Sequence, residues 1–151
     1  ALKAKRANLK LGKDTFKDHR AWKQANLKRY KDILDARVGS RDQVDRMVGQ
    51  IVKIANEAVA EGMSVVKMGK YGRLMTTING NEVELENVTN AMGRALQYYA
   101  NYIRYANNAE KDKEAGYESR YYDKESKAVA GSLKKILNAF KAGDGNNLNR
   151  Y

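Results

Sequence analysis

The stretch that decides the fold is Val44–Met68, VDRMVGQIVKIANEAVAEGMSVVKM, the most apolar continuous segment of the chain. This segment contains a seam of small and apolar residues at alternating steps of three and four, which is the spacing of a packed helix. The seam consists of Val44, Val48, Ile51, Ala55, Ala58 and Gly62. Further apolar positions widen this seam over more than half of the helix circumference. A helix with so wide an apolar surface is buried by several neighbours, which come from this chain or from other copies of it.

The length of 151 residues predicts a single domain, long enough to bury about 70% of its unfolded surface around one core. We divide it into a basic arm at 1–13, a helical body at 14–142 with a hairpin at 73–85, and a polar tail at 143–151. The chain has no cysteine, which excludes disulfides, thiolate metal sites and cysteine nucleophiles. It also has no proline, so its helices can run on uninterrupted and its turns depend on glycine and asparagine.

Basic residues are concentrated at the N-terminus. Residues 1–31 contribute +9 to a total formal charge of +11, so the remaining 120 residues are almost balanced. Such an arm suits a polyanion, namely nucleic acid, an acidic protein surface or anionic lipid headgroups, and a solvated charge run is the alternative. The side chains predicted to contact nucleic-acid phosphates, without sequence preference, are Lys3, Lys5, Arg6, Lys10, Lys13, Lys17, Arg20 and Lys23.

Two helices are predicted in the first half of the chain. An amphipathic basic helix is expected at about 14–37. Ser40 and Gln43 form a capping-box pattern, which predicts the start of the central helix. This central helix is expected to run to Val66 or Met68, where the pattern changes from a helical to an alternating period.

Alternating residues at 73–78 and 82–85, separated by Asn79-Gly80-Asn81, predict a short β-hairpin. An isolated hairpin is only marginally stable in water. We therefore expect it to lie on the helices or to pair with another subunit.

Two further helices and a polar tail complete the predicted organisation. A third helix is expected at about 88–108, capped by Asn87 or Thr89, and a fourth at about 113–142. The charged stretch between them either continues the third helix or forms a loop. The tail at 143–151 is either disordered or held by a partner. The predicted fold class is mainly α, with about four helices in a bundle-like or extended, assembly-dependent arrangement and the small hairpin.

The sequence offers little for catalysis. His19 is the only histidine, and it lies among charged residues where a surface role is expected. Glu57 and Glu61, one helical turn apart, form the one tidy carboxylate pair of the central helix, and we interpret them as solvated or ion-paired. No nucleophile with a matching base and no phosphate-binding loop motif occurs. We therefore predict no enzymatic activity, no cofactor and no metal ion.

Tyrosine is concentrated in the second half of the chain, where seven of the ten lie between positions 98 and 122. Tyrosines on two faces of the third helix are typical of a protein interface, and stacking on single-stranded bases is the alternative. Together with the central seam they supply the predicted oligomer interface: Val48, Ile51, Ala55, Tyr98, Tyr99, Tyr102 and Tyr105.

A glycine-bracketed segment, Gly69-Lys70-Tyr71-Gly72-Arg73, separates the central helix from the hairpin. With Lys67 close by, it resembles a small anion-binding turn. A plain connection between a helix and a hairpin explains the same residues without a ligand.

Nothing in the sequence predicts a membrane location. No run of 18 apolar residues occurs, so a spanning helix is not expected. The N-terminus is basic without an apolar block behind it, so no secretory signal is expected either. If the chain is cellular, we expect it in the cytoplasm.

One helical stretch of 16 positions, at 49–64, carries a distinctive spacing of Gly49, Ile51, Glu57, Glu61, Gly62 and Ser64. This spacing resembles a segment of a known family, the small internal virion protein (the core or ejection protein) of short-tailed phages, the podoviruses. This chain differs from that family in its basic arm, which replaces an apolar N-terminal region, and in the hairpin that interrupts the helix.

The resemblance implies a non-enzymatic viral structural protein, located in the virion. It would form a homo-oligomeric ring or tube with other virion proteins near the portal and leave the capsid with the genome. The basic N-terminal segment would contact nucleic acid or an acidic partner. The alternative is a nucleic-acid-binding coat or chromatin-type protein that wraps DNA through its basic N-terminal helices.

Overall fold

A computed structural model of the chain describes residues 28–37, 39, 42–64 and 67–151. Within these residues it contains five α-helices, one short 3-10 helix and a three-stranded antiparallel sheet of order β1-β2-β3. The elements are α1 (residues 28–36), α2 (Gln43–Ser64), β1 (Lys67–Met68), the 3-10 helix (Lys70–Gly72), β2 (Leu74–Ile78), β3 (Asn81–Glu84), α3 (Leu85–Glu114), α4 (Arg120–Ala142) and α5 (Gly145–Arg150). The predicted fold class, mainly α with a small hairpin, is confirmed.

The central helix α2 is buried by neighbours from its own chain. Val48, Ile51 and Ala55 are fully buried against α3 and α4. Near its C-terminal end α2 crosses the sheet, where Thr76 donates a hydrogen bond from its hydroxyl to the carbonyl oxygen of Ala58 at 2.6 Å. A Cβ added to Gly62 would lie 3.2 Å from Cβ of Thr76, so a small residue is required at this crossing.

The Asn-Gly hairpin is confirmed. Asn79 and Gly80 both have positive φ angles, 51° and 77°, which is the geometry of a type I′ turn. The register pairs Thr76 with Val83, so that both side chains face the helices. Sequence analysis missed β1, whose two residues form the third strand. Because Met68 pairs with Leu74, the chain leaves helix α2 earlier than the predicted end at Val66 or Met68.

The boundaries of α3 and α4 differ from those predicted. Helix α3 begins at Leu85, directly after β3, and no side chain caps its N-terminus. The buried side chain of Leu85 anchors the first turn instead. Neither Asn87 nor Thr89 is its N-cap residue. The charged stretch 110–114 continues α3, and Gly116, with φ at 85°, then makes the turn that delays α4 to Arg120.

The polar tail is held by its own chain, which neither predicted alternative described. Asp144 caps α5 by accepting a hydrogen bond from the backbone N–H of Asn147 at 3.2 Å. Leu148 is fully buried in the core. The hairpin also anchors this region, because the amide of Asn81 donates a hydrogen bond to the carbonyl oxygen of Ala142 at 3.1 Å.

We expect Gly143→Ala to lower the free energy of unfolding by at least about 2 kcal/mol. Gly143 has a φ of 66°, and an added Cβ would overlap the carbonyl oxygen of Ile78. The substitution therefore combines left-handed backbone strain with a clash against the hairpin. Urea unfolding followed by circular dichroism measures the change.

Gly131→Ala is the matched control, because Gly131 is exposed inside α4 and an added Cβ would meet nothing within 4 Å. Alanine should stabilise the helix at this position by roughly 0.5–1 kcal/mol. Equal effects of the two substitutions would contradict the packing of Gly143 against the hairpin.

Candidate interaction surfaces

A buried polar network joins the start of α2 to α1 and α3. The carboxylate of Asp45, 5% exposed, accepts a hydrogen bond from the hydroxyl of Tyr99 at 2.6 Å and one from Nε of Arg37 at 2.9 Å. Asp42, just before α2, accepts from the backbone N–H of Val44 at 2.8 Å and from the hydroxyl of Tyr102 at 2.9 Å. The network therefore caps α2 and fixes it against α3.

The same contacts change the pKa values of the two tyrosines. Burial, followed by the hydrogen bond to Asp45, raises the pKa of Tyr99 far above its ordinary value. Burial, followed by the hydrogen bond to Asp42, raises the pKa of Tyr102 to about 12. The hydrogen bond to Asp45 also raises the pKa of Arg37. Both tyrosines are thus held as neutral donors to carboxylates.

The fold uses most of the predicted oligomer interface as core. Val48, Ile51, Ala55 and Tyr99 are fully buried within one chain, so they are not accessible to a second copy in this fold. Tyr98 and Tyr102 are half-buried and pack against the same core. Tyr105 is half-buried, with its ring centroid 6.4 Å from that of Tyr122. Four of the seven predicted interface residues are therefore core residues of one chain, and an interface role for Tyr98, Tyr102 and Tyr105 stays a prediction.

The predicted nucleic-acid contacts lie outside the described residues. These are Lys3, Lys5, Arg6, Lys10, Lys13, Lys17, Arg20 and Lys23. His19 lies outside them too, whereas Glu57 and Glu61 are exposed on the outer side of α2. The nucleic-acid contacts and the surface roles predicted for these residues therefore stay predictions.

Large apolar side chains are exposed at one end of the sheet. Among the described residues six large apolar side chains are exposed, and four of them lie in this region. We call these four the apolar edge: Met63, Met68, Tyr71 and Leu74. Met68 and Leu74 are opposite each other on β1 and β2, on the sheet face that covers the core further along the strands. Tyr71, 93% exposed, lies at the tip of the connection between these strands.

The structure does not favour an anion site in the glycine-bracketed turn. Arg73 forms a double hydrogen bond to the carboxylate of Glu84, at 3.0 and 3.1 Å. Lys67 lies 3.8 Å from a carboxylate oxygen of Glu82. Two of the three cations of the proposed site are therefore paired with glutamates of β3.

A row of basic residues on the solvent side of α4 was missed by sequence reasoning. We call it the basic face of α4, and all its members are exposed: Arg120, Lys124, Lys127, Lys134, Lys135 and Lys141. At 100° per residue these positions fall within about 120° of the helix circumference. The nearly balanced charge of residues 32–151 conceals this segregation, and a helical-period count of charge over 120–141 would have found it.

A polar cleft of about 340 Å³ lies between the start of α3 and α5. Its walls carry the paired Arg73 and Glu84, with a second glutamate and several asparagine amides: Glu86, Asn87, Asn90, Asn146 and Asn149. Amide and carboxylate groups of this kind bind hydrogen-bonding ligands, but none of them is a nucleophile. Across the described ranges, His, Cys, Asp and Glu nowhere gather in a group of three or more suited to a metal ion.

Comparisons with protein-family models, with curated proteins and with solved structures found no match to this chain. In the described part of the chain, none of the helices is both long and apolar enough to cross a membrane.

We expect Tyr99→Phe to lower the free energy of unfolding by about 1–3 kcal/mol, because the buried carboxylate of Asp45 loses a hydrogen-bond donor. Tyr102→Phe should cost less, since its partner Asp42 is partly exposed and can exchange the lost bond for water. Urea unfolding of both variants at pH 7 measures the difference. A larger loss for Tyr102→Phe would contradict the central role of Asp45.

Alkaline pH should destabilise the fold through the same network. A tyrosine with a raised pKa stays protonated in the folded state while the unfolded chain loses its proton above about pH 10. The free energy of unfolding should therefore fall as the pH rises above 10, by up to about 1.4 kcal/mol per pH unit for Tyr99. Unfolding titrations between pH 9 and 12 should show a shallower slope in Tyr99→Phe, and identical slopes would exclude this linkage.

Proposed function

We propose that the protein is a non-enzymatic structural subunit that associates with copies of itself through the apolar edge. The observation that carries this proposal is the exposure of Met63, Met68 and Tyr71, at 64%, 60% and 93%. Apolar side chains grouped on a soluble surface are typical of protein–protein contacts, because their burial releases water from apolar area. Leu74, opposite Met68, belongs to the same surface.

The backbone of the strand connection supports this proposal. Tyr71 has a φ of 63°, in the left-handed region that bulky side chains rarely occupy. The strain holds the ring outward at the tip of the connection, where it has little contact with its own chain. Strained conformations of this kind persist mainly at functional positions.

A second copy fits the edge of the sheet better than an unrelated partner. Strand β1 is an outer strand of the described sheet, so one side of its backbone is free to pair. A two-fold axis beside β1 would place identical strands antiparallel and bring Met68 and Tyr71 of both copies together. Four apolar side chains are few compared with the about 20–30 residues per side of a standard interface, so we expect association to depend on concentration.

The virion setting of this proposal rests on the resemblance of positions 49–64 to the podovirus core or ejection protein. In that setting the copies would form a ring or tube with other virion proteins, and the basic N-terminal segment would contact nucleic acid or an acidic partner. The alternative, a coat or chromatin-type protein that wraps DNA, assigns the main role to the N-terminal lysines and arginines instead.

The absolute mass of the full chain in solution tests the proposal. Light scattering after size exclusion, from about 1 to 100 µM protein and at low and high salt, should show a salt-resistant multimer that grows with concentration. Because apolar contacts are not screened by salt, high salt should not dissociate it. Met68→Gln combined with Leu74→Gln should shift the protein toward the monomer.

Tyr117→Gln combined with Tyr121→Gln is the matched control, since both tyrosines are exposed near the C-terminal end of α3, Tyr117 in the connection to α4 and Tyr121 in the first turn of α4. The control should keep the mass of the unmodified chain. A protein that stays monomeric without DNA at every concentration, and gains mass only when DNA is added, would contradict self-association and favour the coat alternative. Dissociation of the control alone would move the interface to the tyrosines.

A further inference from the structure

We propose that the basic face of α4 is a second interaction surface, which binds the phosphate backbone of duplex nucleic acid without sequence preference. This surface is separate from the basic N-terminal arm and does not depend on self-association through the apolar edge. Its cations are Arg120, Lys124, Lys127, Lys134, Lys135 and Lys141.

The lysines of this face have no counter-charge within the described part of the chain. Among the residues that the structure describes, Lys124, Lys127, Lys134 and Lys141 form no ion pair. Arg120 is paired with Glu118 at 2.9 Å, and Lys135 lies over the ring of Tyr151 at 5.5 Å. The face therefore presents mostly unneutralised positive charge to solvent.

Of the two acidic residues of α4, Glu125 lies outside the sector of the basic face, whereas Asp123 lies at its edge, at the same angle as Lys141. Asp123 is half-buried and contacts the hydroxyl of Ser119 at 2.9 Å and the ammonium group of Lys113 at 3.6 Å. Glu125, the other acid of the helix, is half-buried as well. Between Arg120 and Lys141, the other exposed positions within the sector of the face are the uncharged Gly131 and Asn138. The face thus carries six cations and, at its edge, one carboxylate that is already paired with Lys113.

The end of α3 shows that this segregation is not general in the protein. At 110–114 the sequence alternates acidic and basic residues, Glu-Lys-Asp-Lys-Glu, which is the mixed pattern expected of a surface that only maintains solubility. On α4 the cations instead extend from Arg120 to Lys141, about 31 Å along the helix axis. A predominantly cationic stripe of this length suits a long polyanion.

The spacing and the surroundings of the stripe favour nucleic acid over a membrane. Lys127, Lys134 and Lys141 recur every seven residues, about 10.5 Å apart along the helix, so the charges form a straight row that can follow a regularly charged polymer. A helix that binds at a lipid surface inserts its apolar face. The apolar face of α4, with Leu133 and Phe140, is instead buried in the core.

The test is a comparison of two triple variants of the full chain with equal loss of charge. Lys127→Gln, Lys134→Gln and Lys141→Gln remove three cations from the basic face. Lys53→Gln, Lys70→Gln and Lys111→Gln remove three exposed lysines elsewhere, which likewise have no ion pair with any described residue. Binding to labelled 20-base-pair DNA and RNA duplexes of mixed sequence is measured by fluorescence anisotropy over a salt series.

The basic-face variant should bind both duplexes about tenfold or more weakly at 0.1 M salt, and the control less than about threefold. Its plot of log affinity against log salt should lose about 0.9 in slope for each phosphate contact removed from DNA. Both duplexes should respond, because the contacts are to phosphates rather than to base edges or the 2′-hydroxyl. Circular dichroism of each variant should match that of the unmodified chain.

Three outcomes would overturn the inference. The two variants could weaken binding equally, which would assign the effect to net charge alone. Alternatively, duplex binding could be unchanged in both variants, which would assign the binding to the N-terminal arm. The full chain could bind vesicles containing phosphatidylserine, or poly-L-glutamate, while it binds neither duplex, which would identify a different class of partner.

Discussion

The rest of the structure depends on the buried carboxylate of Asp45 at the start of α2. A buried charge is tolerated only when it is paired and hydrogen-bonded, and Tyr99 of α3 and Arg37 after α1 supply those contacts. They fix the N-terminal end of α2 against two other helices. Because α2 and α3 are antiparallel, this placement also brings Gly62, at the other end of α2, onto the sheet at Thr76. The polar contacts of Asp45 and the close approach of Gly62 to the sheet thus fix the two ends of α2.

The burial of α2 within its own chain decides where the protein can contact others. Ile51 and Tyr99 pack inside one chain, so the proposed self-association would use side chains that the core leaves exposed. Four of the six large apolar side chains exposed among the described residues lie at the apolar edge, Met68 and Tyr71 among them. The basic face of α4 points away from the core, because the opposite side of that helix is packed on α2 and α3. The two proposed surfaces would therefore serve different contacts, one apolar and one electrostatic.

The elements with a strong local pattern were predictable. The seam through Val48 and Ile51 identifies α2, and Asn79-Gly80 identifies the hairpin, since both positive φ angles are supplied by local turn chemistry. The boundaries that failed depend on distant contacts. Leu85 starts α3 because it is buried, and no cap residue in the sequence signals that start. The polar tail also gave no local sign of the core position that Leu148 occupies.

The sequence by itself determined the mainly helical class, the central apolar helix, the type I′ hairpin and the concentration of positive charge at the N-terminus. Each follows from local periodicity, turn chemistry or composition. The tertiary structure decided which apolar and aromatic side chains are core and which remain exposed, as Tyr99 and Tyr71 illustrate. It also decided that the cations of 120–141 lie on the solvent side of α4, because the opposite side of that helix is packed on α2 and α3. Exposure is a property of the whole packed chain, because a side chain is buried only when residues distant in sequence cover it.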